Sequence, residues 1–299
     1  MKRIVLFLLT NFAVMIVLMV AFSVICHLFG INEAALGRYG INYQSLAVFA
    51  LVFGIGGSIF SLLVSKPMAK LSVGAQTVDG TENASTAWLV QTVRDLSERS
   101  GIKMPEVAVY PGAPNAFATG AFKNSALVAV STGIMEQMNR EELRAVLGHE
   151  ISHVVNGDMV TMSLLQGVLN AFVIFLSYVV GFLVDNALSG GKDRRRSSGI
   201  GFYLTKFVCQ MVFGILASVV AMGFSRHREY AADAGSAKLL GTPSSMIAAL
   251  RRLGNLQPGV LPDSLKAMGI SGKRKTSLFA SHPALEDRIA ALENLQRMV

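Results

Sequence analysis

Hydrophobic and polar positions follow two regimes along this chain. Four windows, Ile4–Asn32, Tyr39–Ser65, Met159–Val184 and Ser197–Ser225, are predominantly apolar and share one charged residue, Lys206, among 111 positions. Each is longer than the roughly 20 residues that a helix needs to cross a bilayer. The first two are separated by a short loop and predict a helical hairpin. The first lies behind Lys2 and Arg3 as a signal peptide would, but it outruns the usual apolar stretch of about 7–15 residues. An anchored segment is therefore expected. Gly54 and Ser58 have the small-xxx-small spacing that permits close helix contact, and lipid-facing filler accounts for the same residues.

Between and after these windows the pattern is that of a mixed α and β domain. Ser85 is placed to cap a helix running to about Arg99, with Trp88, Leu89, Val93 and Leu96 inside and Gly101 closing it. Glu106–Tyr110 and Ala126–Ser131 read as strands, joined through a Pro-Gly-Ala-Pro turn at 111–114. Asn115–Gly120 is short enough to be an edge strand. Asn139 with Glu142 three residues later forms a capping box ahead of a helix with Leu143, Val146, Leu147 and Val154 on its apolar side. Thr242 caps a further helix with Pro243 at its first position, and a last helix starts at Pro283 with Glu286 and Asp287 in its first turn.

Composition sharpens the division. The chain is 52% hydrophobic and 15% charged, with a mean hydropathy of +0.49. Soluble domains carry about 25% charge. The deficit belongs to the four windows, and a purely soluble protein is excluded. The net charge of +8 has much of its basic excess beside the windows, at Lys2, Arg3, Lys66, Lys70 and the Lys192–Arg196 run, where anionic lipid attracts it. The Lys273–Lys275 cluster reads as a solvated loop. No basic stripe interleaved with aromatics points to nucleic acid. Cys26 and Cys209 lie inside apolar windows and read as small buried hydrophobes. Basic flanks place the N-terminus and residues 71–158 on the cytoplasmic side. For the second pair of windows, full crossing and partial insertion are both open.

The strongest local signal is His149-Glu150-Ile151-Ser152-His153. Residues four apart share a helix face, so two imidazoles can meet one metal ion, with Glu150 beside them to act on a metal-activated water. A catalytic zinc site needs a third protein ligand. The candidates are Asp158, His227, Glu229 and His282. Glu229 and Asp233 also share a face. One can bind metal while the other accepts the free N–H of a ligand histidine.

These motifs together, with Ser281-His282-Pro283, resemble the HtpX family of bacterial membrane zinc metalloproteases, relatives of the CaaX prenyl proteases. The resemblance covers nearly the whole chain. It implies one Zn2+ bound by His149, His153 and Glu229, Glu150 as general base and Asp233 as the partner of a ligand histidine. It also implies an active site facing the cytoplasm at the inner membrane and a role in membrane-protein quality control under stress. His282 is then expected beside the site, contacting substrate or the developing oxyanion. Asn115, Ala116, Phe117 and Ala118 are expected to pair with an extended substrate backbone.

The expected architecture is an α+β membrane protein. It has a mostly helical, zincin-like protease domain with a small β-sheet, plus two hydrophobic hairpins. The expected divisions are hairpins at 1–70 and 159–225, and protease segments at 71–158 and 226–299. The partners are polypeptide substrates and a lipid bilayer. The competing class is a membrane scaffold with a structural or inactive zinc site, which would normally be closed by four protein ligands. A transporter is disfavoured because the first three windows contain no acid or base.

Overall fold

A computed structural model describes residues 43–188, 200–256 and 280–298, with Val20, His27 and Ile270 as isolated positions. Most of the first apolar window, the Lys192–Arg196 run and the Lys273–Lys275 cluster lie outside the described residues. In chain order the elements are α1 (Tyr43–Val73), β1 (Gln76–Thr77), α2 (Ala84–Arg99), β2 (Glu106–Tyr110), β3 (Ala116–Thr119) and β4 (Leu127–Ser131). They continue with α3 (Thr132–Gln137), α4 (Arg140–Asn156), α5 (Asp158–Leu188), α6 (Ile200–Leu240), α7 (Ser244–Asn255) and α8 (Leu285–Met298). Leu46–Val73, Asp158–Asp185 and Ile200–Leu240 are long and apolar enough to cross a membrane. The chain divides into two compact units, Met1–Phe60 with Ser163–Val220 and Ser61–Met162 with Ala221–Val299.

The first unit hides small residues and shows large ones. A Cβ on Gly54 would lie 2.5 Å from the Ala171 backbone nitrogen, and one on Gly167 would lie 3.0 Å from Ile55 Cα. Ser163 Oγ donates to Ser58 O at 2.8 Å. Gly54 and Ser58 thus face α5 at a close crossing of α1, the arrangement that packs helices where water is absent. Around it Ala47, Ala50, Phe175 and Val179 are buried, while Phe53, Phe60, Phe207 and Leu216 point outward. Lys206 Nζ sits 4.3 Å from the Tyr178 ring centroid, a cation–π contact.

The second unit is built around a four-stranded sheet of order β1-β2-β4-β3. β2 and β4 run parallel, with Val107 opposite Val128, whereas β3 lies antiparallel to β4 at the edge, with Phe117 opposite Ala129. Alternation along the strands divides the core. Val107, Ala116, Ala118, Val128 and Val130 join α2 and α4. Ala108, Tyr110, Phe117, Leu127 and Ala129 pack with Ala69 of α1.

The α2 cap is Asn83, not Ser85. Its side chain accepts from Ser85 N and Thr86 N while Thr86 answers with its hydroxyl. α8 begins at Leu285, two residues beyond Pro283, with Glu286 and Asp287 in its first turn. Pro243, expected as the first residue of α7, is instead its N-cap, and Thr242 Oγ1 accepts from Ser244 N at 3.2 Å from one position further back.

Glu106 on β2 is gripped by Lys66, at 2.7 Å, and by Lys70 and Thr77. Partial burial alone would raise its carboxyl, but the two ammonium groups and the hydroxyl bring it from the ordinary 4.5 to about 2. A carboxylate depressed in the folded state adds stability above its unfolded pKa and loses it as pH falls through the folded one. Acid titration between pH 5 and pH 2 should therefore destabilise the wild type by about 1 kcal/mol more than Glu106→Gln, a figure already discounted for solvent screening. Thermal unfolding in detergent at each pH measures the difference.

Candidate active site

The helix that carries the His-Glu-x-x-His run is fixed at both ends. Asn139 accepts from Glu141 N and Glu142 N, and the Glu142 side chain returns to Asn139 N at 3.0 Å. At the other end Gly157 adopts φ +69, a left-handed turn that side-chain-bearing residues resist, and α5 starts at the next residue. That turn brings Asp158 Oδ2 back to 2.6 Å from His153 Nδ1.

α4 meets α6 through matched notches. Gly148 lies opposite Ser236, and Gly235 opposite Ser152, with hypothetical Cβ positions only 2.8 and 2.5 Å from the facing hydroxyl oxygens. Both hydroxyls are satisfied: Ser236 Oγ donates to Ala145 O and Ser152 Oγ to Gly148 O, each at 2.7 Å. This approach brings Glu229, 76 positions after His153 in sequence, alongside the histidines. His149 Nε2 and His153 Nε2 lie 3.1 Å apart. Glu229 Oε1 is 3.3 Å from His153 Nε2, and Oε2 is 3.5 Å from His149 Nε2.

These three donors suit a metal ion. Ligand atoms held about 2.0–2.1 Å from one tetrahedral zinc lie about 3.3 Å from each other, and the observed edges bracket that spacing. The tautomers agree. An ionised carboxylate only accepts, so His153 Nδ1 donates to Asp158 and His149 Nδ1 donates to Asp233 Oδ1 at 2.9 Å. Both Nε2 atoms then present lone pairs to each other and to a carboxylate, an arrangement that calls for a cation. Burial alone would lower the His149 pKa, but the Asp233 and Glu229 carboxylates outweigh it and raise it, a second sign of demand for positive charge.

Glu150 is 1% exposed, and its Oε2 has no hydrogen-bond partner. Burial pushes its carboxyl above the ordinary range, while the neighbouring histidines pull the other way. His282 is buried too, with Nδ1 2.8 Å from Glu229 Oε2 but off the line of a hydrogen bond. The chain ahead of it is held by Arg226, which donates to Ala280 O at 2.8 Å. Of the four candidates for a third ligand, Glu229 completes the triangle. Asp158 holds the outer nitrogen of His153, His282 adjoins Glu229, and His227 is exposed.

Asn115, Ala116, Phe117 and Ala118 are all buried at the β3 edge of the sheet. Asn115 Oδ1 accepts from Ala116 N at 2.9 Å. The Ala116 carbonyl, expected to be open to substrate, accepts from Ile270 N at 3.0 Å. Two arginines escaped sequence reasoning. Arg228 reaches Asp158 Oδ2 at 3.0 Å, and the fully buried Arg288 grips Asp233. Arg288 did leave a trace: it stands on the apolar stripe of Leu285, Ile289 and Leu292, where an unpaired charge would be costly. Asp233 and Glu229 together lift its pKa against burial.

Residues 83–296 match the model of peptidase family M48. A "Protease HtpX homolog" of Janthinobacterium sp. (strain Marseille) is 56% identical over 297 residues, covering 99% of this chain and 100% of that protein. Another from Acidovorax ebreus (strain TPSY) is 53% identical over 296 residues, covering 99% of each. The crystal structure of S. mikatae Ste24p shares the fold, with a TM-score of 0.55 at 20% identity over 93% of this chain. This chain spans 66% of that protein's length.

The notches between α4 and α6 make a direct prediction. Gly235→Ala places a methyl 2.7 Å from Ser152 Cβ and should cost about 1–3 kcal/mol, together with much of the bound metal. Ser152→Gly in the same chain should recover both. Thermal unfolding and metal content per chain report the two effects.

Proposed function

The chain belongs to peptidase family M48 and, within it, to the HtpX-type membrane metalloproteases, and on that footing we propose a zinc endopeptidase that cleaves membrane or misfolded proteins at the cytoplasmic face of the inner membrane. Its role is quality control under stress. The convergence of His149 Nε2, His153 Nε2 and the Glu229 carboxylate carries this reading: the nitrogens lie 3.1 Å apart, with Glu229 Oε1 3.3 Å from His153 Nε2 and Oε2 3.5 Å from His149 Nε2. In the proposed organisation, 1–70 and 159–225 form membrane hairpins, and 71–158 with 226–299 are two parts of one protease domain.

His149, His153 and Glu229 would hold a zinc ion, which when bound would supply the Lewis acidity that peptide hydrolysis needs. Glu150 accepts the proton of the attacking water and passes it to the leaving amine. A carboxyl raised by burial takes a proton more readily than an exposed one. Asp233 and Asp158 hold the outer N–H groups of the histidines, keeping each Nε2 lone pair aimed inward. His282, whose Nε2 has no hydrogen-bond partner and whose Nδ1 lies 2.8 Å from Glu229 Oε2, donates to the oxyanion that develops on the substrate. The backbone at Asn115, Ala116, Phe117 and Ala118 aligns an extended substrate chain, which must take over the Ala116 carbonyl from Ile270.

Glu150→Gln should keep its zinc and lose about 10²–10⁴-fold in casein cleavage, whereas Glu229→Ala should lose zinc as well. Full cleavage by Glu150→Gln, or undiminished metal in Glu229→Ala, is the outcome that removes these assignments. Orientation is read separately. With Cys26 and Cys209 replaced by serine, Glu141→Cys should resist a membrane-impermeant maleimide in spheroplasts and react in inverted vesicles. The opposite labelling places the site on the other face.

A further inference from the structure

Arg288 has no counterpart among the motifs that define the site, yet it is the largest fully buried side chain among the described residues. A guanidinium removed from water costs several kcal/mol unless it is paired and hydrogen-bonded. Its pairing is specific. Nε donates to Asp233 Oδ2 at 2.8 Å and Nη2 to Asp233 Oδ1 at 2.7 Å, a two-point fork that fixes both the position and the rotation of the carboxylate. Asp233 Oδ1 is the same oxygen that accepts from His149 Nδ1 at 2.9 Å. Arg288 Nη1 lies 3.3 Å from Glu229 Oε2, out of hydrogen-bond alignment, so the guanidinium also flanks the carboxylate of the triangle.

We propose that Arg288 is a positioning residue for the metal site: by clamping Asp233 it holds His149 in the tautomer and orientation that bind metal. The assignment rests on the metal-site reading given above. Without the fork, Asp233 would be a buried carboxylate with one N–H partner. Turning or protonating it would release the histidine N–H. The matching chain on the other histidine shows the contrast. Arg228 meets Asp158 Oδ2 at a single point, 3.0 Å away, and leaves Nε and Nη1 without partners. Lysine would supply charge at position 288 without the planar fork, so the charge and the geometry can be separated by substitution.

The test uses the full chain in detergent, with zinc affinity measured by competition against a chromophoric chelator and the visible spectrum recorded after cobalt replacement. Arg288→Gln should weaken zinc binding about 10–100-fold and alter the cobalt bands. Arg288→Lys should recover part of the affinity. Asp233→Asn should cause a loss of similar size, and Arg288→Gln added to it should cost less than about twofold more, because the arginine acts through that carboxylate. Wild-type affinity with an unchanged cobalt spectrum in a folded Arg288→Gln protein overturns the proposal, as do losses that multiply fully in the double variant. If Arg288→Gln does not fold, Arg288→Lys alone and in the Asp233→Asn background decides by the same criterion. A wild-type chain that binds no zinc instead overturns the metal-site reading, whereas tight wild-type binding with an indifferent Arg288 overturns only this assignment.

Discussion

The site depends on how closely two helix backbones approach. α4 supplies His149, Glu150 and His153, α6 supplies Glu229 and Asp233, and the helices touch where Gly148 faces Ser236 and Gly235 faces Ser152. Larger side chains in those notches would force the axes apart, because close-packed interiors accept an added methylene only by straining or shifting. The 3.3 and 3.5 Å distances from Glu229 to the histidines tolerate little such movement. The serines serve this approach without leaving a polar group stranded, since each hydroxyl donates to a carbonyl of α4.

Electrostatics supplies the second half of the design. Four buried acids, Glu150, Asp158, Glu229 and Asp233, crowd around two imidazoles. Such a cluster is costly unless cations enter it. Arg228 and Arg288 enter from outside, each bound to an aspartate that holds a histidine. Within the triangle, the facing lone pairs call for the remaining positive charge. Glu150 feels the neighbouring histidines, but its Oε2 has no hydrogen-bond partner.

Local signals carried much of this into the sequence. The capping box at Asn139 and Glu142, the four-residue spacing of His149 and His153, and the strand at Glu106–Tyr110 depend on neighbours along the chain. The parts that stayed hidden depend on packing across long separations. Nothing near Asp158 says that a left-handed turn at Gly157 will bring it onto His153. Ser85 and Asn83 are both good caps, and only the reciprocal hydroxyl of Thr86 decides between them. Arg288 went unread: it stands on an apolar stripe, and its partner lies 55 residues away on another helix. The β3 edge was legible as an edge, whereas the bond from Ile270 to Ala116 was not.

The turn at Gly157 leaves no slack. The last residue of the histidine helix is Asn156, and the first residue of the following apolar helix is Asp158, which is itself a partner of His153. At this junction only Gly157 separates the histidine helix from the apolar helix that follows, so a cut here enters the candidate site. Any shortened, water-soluble derivative must keep the opening turn of α5 and the Arg228 end of α6, and rejoin the chain beyond them. The catalytic machinery and the membrane segment are thus spliced, not merely tethered, and chemistry and anchorage have to change together.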